Sequence, residues 1–258
     1  MEELEKSFKS LTKVLLGKEL GGLHAYANWL EENVRMSTEQ KSVVSGKPIY
    51  LPYFSFFQAT KSRLVNLEES GELSKKHLDE KDVGNLTPSN AQKMLAPIST
   101  YCPIVGHGQT MNVEKTSLYG ESSFCYLADG AVKSKYCAYC LWPRESEHVY
   151  GCDFIFSSRF CLKCYKSENL TRCFEVSHSN SCSDCYFCHN CDNLQECMFC
   201  FNTKSLRYAI ANVEIGREEY IRIKKIVLEE IVSRIEANRR FEYNIFNVGC
   251  LKSRIESA

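Results

Sequence analysis

Cysteine is the residue type in this sequence whose number and spacing could support chemistry. Thirteen of the fifteen cysteines lie between Cys125 and Cys200, and every gap between neighbouring ones is 3, 6, 9 or 12 residues. Cysteine thiolates bind zinc and iron–sulfur clusters, and four of them can complete a tetrahedral centre. The densest segment, CSDCYFCHNCDN, contains Cys182, Cys185, Cys188 and Cys191. These four residues are the candidate metal ligands, with zinc or an iron–sulfur cluster as the possible cofactor.

The same spacing indicates a structural repeat. Nine consecutive segments of twelve residues, from Thr110 to Arg217, align without a gap. Their first, fourth, seventh and tenth positions are mainly small residues, and the positions between them carry most of the charge. A spacing of three drifts around an α-helix and does not match the period of two in a flat strand. It predicts a narrow parallel β-solenoid, with four inward side chains per coil and a rise of about 4.8 Å per coil.

The repeat weakens the cysteine pairs as evidence for zinc binding. Pairs such as Cys137/Cys140 and Cys161/Cys164 follow from the repeat itself, so they count less as zinc knuckles. Three interpretations stay open: packed free thiols, a metal site at Cys182 to Cys191, and disulfides. Packing leads, because Cys behaves as a small buried hydrophobe and an odd thirteen cannot all pair. The acidic N-terminus, MEELEKSFKS, lacks a signal-peptide core, so we expect a cytoplasmic protein with reduced thiols.

Two resemblances accompany this pattern. The coil, with four small inward residues spaced by three, resembles the right-handed β-helix of beetle antifreeze proteins. Residues 110 to 225 resemble a group of uncharacterised cysteine-rich repeat proteins from environmental bacteria and archaea, whose coils end in a passage like Leu206-Arg207, Tyr208-Ala209-Ile210, Asn212 and Glu218-Glu219-Tyr220. The paired-Cys zinc ribbon that often begins those proteins is missing, since no cysteine precedes Cys102. The resemblances imply a β-helical fold and no activity. The coils also lack a Thr-x-Thr ladder, so ice binding is not expected.

The rest of the chain is predicted to cap the solenoid. Leu4, Phe8, Leu11 and Leu15 recur at helical spacing in residues 2 to 16. Further predictions are a second helix over 24–34, a turn at 45–48, an extended aromatic run over 49–57, a solvated loop over 68–85 and a short helix ending near residue 95. Residues 217–240 form a helix whose apolar stripe suits a C-terminal lid or, alternatively, a docking site for a partner. The predicted domains are an α-rich cap (1–97), the solenoid (98–217) and a capping helix with tail (218–258).

One outward column predicts an interface. The fifth coil position is mostly apolar, and Phe187 and Phe199 lie beside it; this aromatic flank contains Tyr126, Ala138, Tyr150, Leu162, Phe174, Tyr186, Met198 and Ile210. Either the terminal caps cover it, which we favour, or it binds a protein partner or a second copy of the chain.

Catalytic residues are not predicted. The histidines His107, His148, His178 and His189 fall in different columns, so each is expected to be solvated or singly hydrogen-bonded. Phosphate-loop, nucleophile-elbow and zinc-protease motifs are lacking. The 32 basic and 32 acidic residues balance, which argues against nucleic acid, and no apolar run is long enough for a membrane.

These observations predict an α+β protein: a narrow parallel β-solenoid with 12-residue coils, capped by N-terminal helices and a C-terminal helix. The leading hypothesis is a non-enzymatic structural or interaction scaffold. The alternative is a metal-binding protein that uses Cys182, Cys185, Cys188 and Cys191. An enzyme with its site between the cap and the solenoid is a third possibility, without residues to support it.

Overall fold

The computed structural model describes residues 1–250. Its α-helices are short apart from the first and the last, and 3-10 turns at Leu23–Tyr26 and Lys61–Arg63 accompany them. The helices are α1 (Glu2–Leu16), α2 (Ala27–Glu31), α3 (Ser55–Gln58), α4 (Leu67–Leu73), α5 (Glu80–Val83), α6 (Ala91–Leu95) and α7 (Arg217–Asn238).

The strands form one antiparallel hairpin and one wound sheet. The hairpin contains β1 (Thr38–Lys41) and β2 (Pro48–Leu51). The sheet contains β3 (Val105–His107), β4 (Met111–Glu114), β5 (Leu118–Gly120), β6 (Ser123–Asp129), β7 (Ala131–Val132), β8 (Lys135–Arg144), β9 (Glu147–Tyr150), β10 (Asp153–Phe156), β11 (Arg159–Leu162), β12 (Tyr165–Glu168), β13 (Thr171–Ser177), β14 (Ser183–His189), β15 (Gln195–Met198), β16 (Arg207–Ile210) and β17 (Val213–Glu214).

The predicted β-solenoid with 12-residue coils is confirmed. It makes about nine turns, and its strands pair in parallel with an offset of twelve, as in Cys125 with Cys137 and Cys185 with Cys197. The first turn is irregular, because Val105 of β3 pairs with Leu118 of β5, thirteen residues on. In-register stacking therefore places equivalent residues of successive coils directly above one another.

The coil closes in twelve residues because it has four sharp corners. At every third residue from Asn112 to Ala211, apart from Leu118, the backbone adopts a positive φ, between 46° and 59° at the non-glycine positions. This left-handed conformation costs roughly 1–2 kcal/mol for a residue with a side chain. Hydrogen bonds between coils offset that cost, and the result is a square tube with three residues per side.

Hydrogen bonding inside the tube explains why many of the small inward residues are also polar. The backbone N–H groups of Ser134 and Ser146 donate to the hydroxyl oxygens of Ser122 and Ser134, one coil earlier, at 3.1 and 3.2 Å. The N–H of Cys164 likewise donates to the sulfur of Cys152 at 3.2 Å. A buried N–H without a partner is costly, so inward Ser and Cys satisfy the backbone that the corners turn into the tube.

Helix α1 covers the aromatic flank and lies along the solenoid axis. The hydroxyl of Tyr150 donates to the Leu4 carbonyl at 3.1 Å, and that of Tyr186 donates to the Leu15 carbonyl at 2.9 Å. The two tyrosines are three coils apart, about 14 Å at the spacing of paired strands. Eleven helical residues span about 16 Å. The apolar stripe of α1 therefore matches the rise of the stacked coils.

The C-terminal helix is present as predicted, but it packs on the flank of the last three coils. Lys224 of α7 pairs with Glu196 at 3.0 Å, and Glu236 pairs with Lys18, just after α1, at 2.7 Å. The end of the tube is closed by β17, which pairs antiparallel with β16. The side-chain amide of Asn212 also bonds both the N–H and the carbonyl of Phe201, each at 2.9 Å. A hairpin and an amide thus close the last coil.

The N-terminal region confirms some predictions and corrects others. Helix α1 has the predicted bounds, and α6 lies where a short helix was expected. The helix predicted over 24–34 is a 3-10 turn followed by the short α2, and the aromatic run over 49–57 is extended only through β2 before α3 begins. The expected loop over 68–85 contains α4, which an Asn66–Glu69 capping box starts, and α5. The three-domain division stays a prediction; α1, α7 and the solenoid flank share one hydrophobic cluster.

Candidate functional site

The four candidate ligands lie where the repeat predicts, at the four inward positions of one coil. All four are buried. Their sulfurs are engaged with the backbone: Cys182, Cys185, Cys188 and Cys191 donate to the carbonyl two residues earlier at 3.2, 3.2, 3.5 and 3.3 Å. Each thiol therefore already has a hydrogen-bond partner on its own wall of the tube.

The four thiols also interact with one another and with the thiols of adjacent coils. Within residues 1–250, no group of three or more His, Cys, Asp or Glu side chains is placed so that it could hold a metal ion. Burial raises the pKa of Cys188, and hydrogen bonding to Cys173 and other thiols raises that of Cys185. Hydrogen bonds from Cys185 and Cys188 lower the pKa of Cys182 and Cys191. The middle of the coil thus retains protonated thiols, and the metal site stays a prediction for elemental analysis.

The same organisation extends through the other coils. All thirteen solenoid cysteines are free and buried, and they form one contiguous core with the other inward residues. Burial raises the pKa of Cys137 and Cys140 well above the usual thiol value. Hydrogen bonds with Cys188 and Cys197 lower the pKa of Cys200 to about 3, so the core thiols do not all resist ionisation. All thirteen are nevertheless sealed from solvent, which keeps them from acting as nucleophiles on a ligand.

The aromatic flank is occupied by the chain itself. Tyr150, Leu162, Phe174 and Tyr186 are fully buried beneath α1 and its neighbours. The ring of Phe8 packs on Tyr150 with 5.3 Å between ring centroids. The interpretation that a terminal cap covers this flank is confirmed, and a partner that used it would have to displace α1.

A second outward column forms an aromatic stack that the sequence interpretation missed. Phe124, Tyr136, His148 and Phe160 lie one coil apart, with nearly parallel rings and centroids 4.5 to 5.1 Å apart. His148 Nδ1 lies 2.7 Å from the Ser7 hydroxyl, and burial lowers its pKa. His148 thus joins α1 to the solenoid. Mixed residue types hid this column, which reading down the third coil position could have shown.

A buried Lys–Glu pair under α2 was also missed. Lys163 and Glu175 are fully buried at neighbouring corners, with 3.9 Å between Nζ and Oε1. Lys163 donates to the Trp29 carbonyl at 2.6 Å, and the Ile245 N–H donates to Glu175 at 2.9 Å. Burial raises the pKa of Glu175 to about 8. The pair ties α2 and the C-terminal segment to the solenoid, and both residues are enclosed rather than open to a substrate.

The uncovered side of the solenoid carries a groove, the open groove, with a volume of about 900 Å³. Its first wall consists of corner residues in successive coils: Lys166, His178, Asn190 and Asn202. Its second wall consists of residues two positions further along each coil: Glu168, Asn180, Asp192 and Lys204. Small inward residues, including Ser179 and Cys191, form the floor, and Phe154, Phe156 and Arg35 close one end.

The walls of the open groove are organised by hydrogen bonds between coils. Asn190 donates to Asn202 at 2.9 Å, and Asn180 donates to Asp192 at 3.3 Å. Each amide has two donors and one carbonyl acceptor, so each keeps hydrogen-bonding capacity for a ligand. At the aromatic end, Arg35 is held by Asp153 (Nε to Oδ2, 2.9 Å) and lies 4.8 Å from the Phe154 ring centroid. The open groove is thus a preformed surface of amides and balanced charges with an aromatic end.

Comparison with known proteins does not assign a function, so the proposed function rests on the geometry. The chain matches no protein-family model and no curated protein. Within residues 1–250, the structure contains no helix that is both long and apolar enough to cross a membrane.

Proposed function

We propose that this protein is a non-enzymatic interaction scaffold. The observation that carries the proposal is the uneven covering of a rigid tube: α1, α2 and α7 seal the aromatic flank, while the open groove stays bare over five coils. Thirteen buried thiols and in-register hydrogen bonds hold the tube in one shape. Binding by such a surface requires little ordering of the protein, which favours affinity.

The placement of the reactive side chains supports a non-enzymatic role. The solenoid thiols and the Lys163–Glu175 pair are the chemically unusual groups, and all of them are enclosed. The exposed histidine of the open groove, His178, lies beside His189 and Lys166 and has a lowered pKa, because of partial burial and these neighbouring groups. Free thiols throughout the core also support the cytoplasmic location expected from the sequence.

The partner surface that we propose is the open groove, in place of the covered aromatic flank. The test is a quantitative pull-down with tagged protein from a cell lysate of its source, together with light scattering at micromolar concentration. We expect a discrete partner or self-association that Asn190→Arg abolishes. Asn193→Arg is the matched control, because Asn193 is also exposed at a left-handed corner but lies outside the groove. The proposal fails if the protein is a strict monomer that binds no partner of any chemical class, or if both variants lose binding equally.

Metal binding through Cys182, Cys185, Cys188 and Cys191 is the alternative function. One feature favours it: four thiols face inward from a single coil. Elemental analysis and an absorbance spectrum of anaerobically purified protein separate the two proposals. Less than ~0.2 metal ion per chain would remove the alternative, because a structural site that couples to folding is filled when the protein is folded. One zinc or one cluster per chain would instead establish it.

A further inference from the structure

We propose that the open groove binds a neutral, extended oligosaccharide that runs along the solenoid axis. This inference rests on the proposed function and names the chemical class of the partner. Three properties of the groove lead to it: its repeat distance, its charge balance and its combination of amides with an aromatic end.

The repeat distance suits a linear polymer of small rings. The corner residues of the first wall lie one coil apart, so their spacing is about 4.8 Å, close to the length of one pyranose unit in an extended chain. From Phe154 to Asn202 the wall rises by four coils, about 19 Å. Each coil therefore presents the same pair of wall positions to each successive ring.

The charge balance excludes strongly charged ligands. Lys166 and Lys204 are matched by Glu168 and Asp192, and Arg35 is already paired with Asp153. A single-stranded nucleic acid requires a positive groove that follows its phosphates. The two wall carboxylates offset the two wall lysines, so the groove offers a phosphate backbone no net attraction. A neutral ligand with many hydroxyl groups meets no such penalty and can use both charge signs as hydrogen-bond partners.

The backbone of the groove does not offer the edge that an extended peptide uses. The N–H of Asn180 donates to the Cys191 carbonyl at 3.0 Å, and the N–H of Asp192 donates to the Thr203 carbonyl at 3.2 Å. Peptides that add to a sheet pair with free backbone groups at its edge. Here the backbone of the walls is already paired between coils, and the groups that remain free are side-chain amides and carboxylates.

The wall amides and the aromatic end supply both kinds of contact that a sugar needs. Asn190 and Asn202 on the first wall and Asn180 on the second can each donate to and accept from hydroxyl groups. At the end of the groove, Arg35 and Trp142 pack on the Phe154 ring, and the partly buried ring of Phe156 offers an apolar face for the C–H side of a terminal sugar ring. Concave sites that combine apolar surface with a few fixed polar groups are typical of small-ligand binding.

Isothermal titration calorimetry with the full chain tests the inference. The probes are β-1,4-linked glucose and β-1,4-linked N-acetylglucosamine tetrasaccharides, with the curved α-1,4-linked glucose tetrasaccharide as the control of sugar shape and octathymidylate and a neutral octapeptide as competitors of other classes. We expect at least one β-1,4-linked tetrasaccharide to bind, and Asn190→Ala to weaken it by about tenfold, the loss typical of one or two hydrogen bonds. Phe156→Ala should weaken it to a similar extent.

The control is Asn193→Ala. Asn190 and Asn193 have the same backbone conformation (φ 53° and 54°) and are both exposed, so the two substitutions strain the coil equally. Affinity should change by less than about twofold in the control, since Asn193 contacts no groove ligand. Binding by no β-1,4-linked tetrasaccharide, equal loss in both variants, or preference for the octathymidylate or the octapeptide would overturn the inference. If the pull-down depends on Asn190 while no sugar binds, the scaffold function stands and only the ligand class is wrong.

Discussion

The substitution Glu175→Gln should stabilise the protein at neutral pH and leave its stability unchanged in acid. Glu175 is fully buried, and burial raises its pKa to about 8 from a usual value of 4.5. Lys163 faces its carboxyl group on the solenoid flank, Glu32 approaches from the end of α2, and the Ile245 N–H donates to it from the C-terminal segment. A glutamine has the same shape and retains a carbonyl oxygen for the Ile245 N–H.

The magnitude follows from proton linkage. Below pH 4.5, Glu175 is protonated in the folded and the unfolded chain, so it adds no pH dependence. Between pH 4.5 and pH 8 the unfolded chain releases this proton while the folded chain keeps it, and stability falls by up to about 1.4 kcal/mol per pH unit. At pH 7 the interval is 2.5 units, which corresponds to about 3 kcal/mol. Above pH 8 the loss is complete. Glu175→Gln removes this loss.

Urea denaturation followed by circular dichroism, at pH 5 and pH 7.5, measures the effect. We expect the difference in unfolding free energy between variant and wild type to be below about 1 kcal/mol at pH 5 and about 4 kcal/mol in favour of the variant at pH 7.5. The difference between variant and wild type removes the contribution of other titrating groups, because both proteins contain them. Asp129 is one such group, and burial raises its pKa to about 6. Glu145→Gln is the control, because Glu145 is exposed at an equivalent left-handed corner. A difference that is independent of pH, or a Glu145→Gln profile that matches, would refute the reasoning.

Three other predictions concern the thiol core and α1. Iodoacetamide should modify Cys102 and Cys250 in the folded protein and all fifteen cysteines after denaturation. Intact mass spectrometry counts the modified residues. Rapid modification of solenoid cysteines in the folded protein would contradict the enclosed core. Cys164→Leu should lower unfolding free energy by about 1–3 kcal/mol through overpacking, whereas Cys250→Leu should leave the urea midpoint unchanged. Tyr150→Phe should cost about 1–2 kcal/mol, because the hydroxyl bonds Leu4 and Ser7, and an unchanged thermal midpoint would contradict that role for α1.

The fold could be predicted because a single residue type, cysteine, marks the inward positions of the solenoid repeat. Thirteen cysteines in a single phase of three reveal the inward positions, and strict stacking then requires the offset of twelve that Cys161 and Cys173 show. The helices α1 and α7 were predictable for a similar reason, since apolar residues recur at helical spacing over the whole length of each. The metal interpretation is not settled by such a pattern, because packing and ligation require the same spacing.

The surface features were harder to predict, since they depend on which residues occupy equivalent corners of successive coils and on what packs over them. Phe124, Tyr136, His148 and Phe160 form one stack, and their spacing of twelve places them in one column, but the mixed residue types do not distinguish a packed stack from solvated side chains. The burial of Lys163 depends on where α2 and the C-terminal segment pack, which is a long-range property. Left-handed corners at bulky residues such as Trp142 also run against residue preference, because the geometry of the whole coil imposes them.

The left-handed corners determine how the length of this chain can change. Deleting or inserting one residue would shift every later side chain by one place and turn charged groups into the tube. A change of three would preserve the alternation of inward and outward places but would rotate each later coil by a quarter turn, away from α1. A whole coil of twelve is the smallest unit that can be gained or lost with every later contact preserved, so natural or engineered variants of this body should differ in steps of twelve residues.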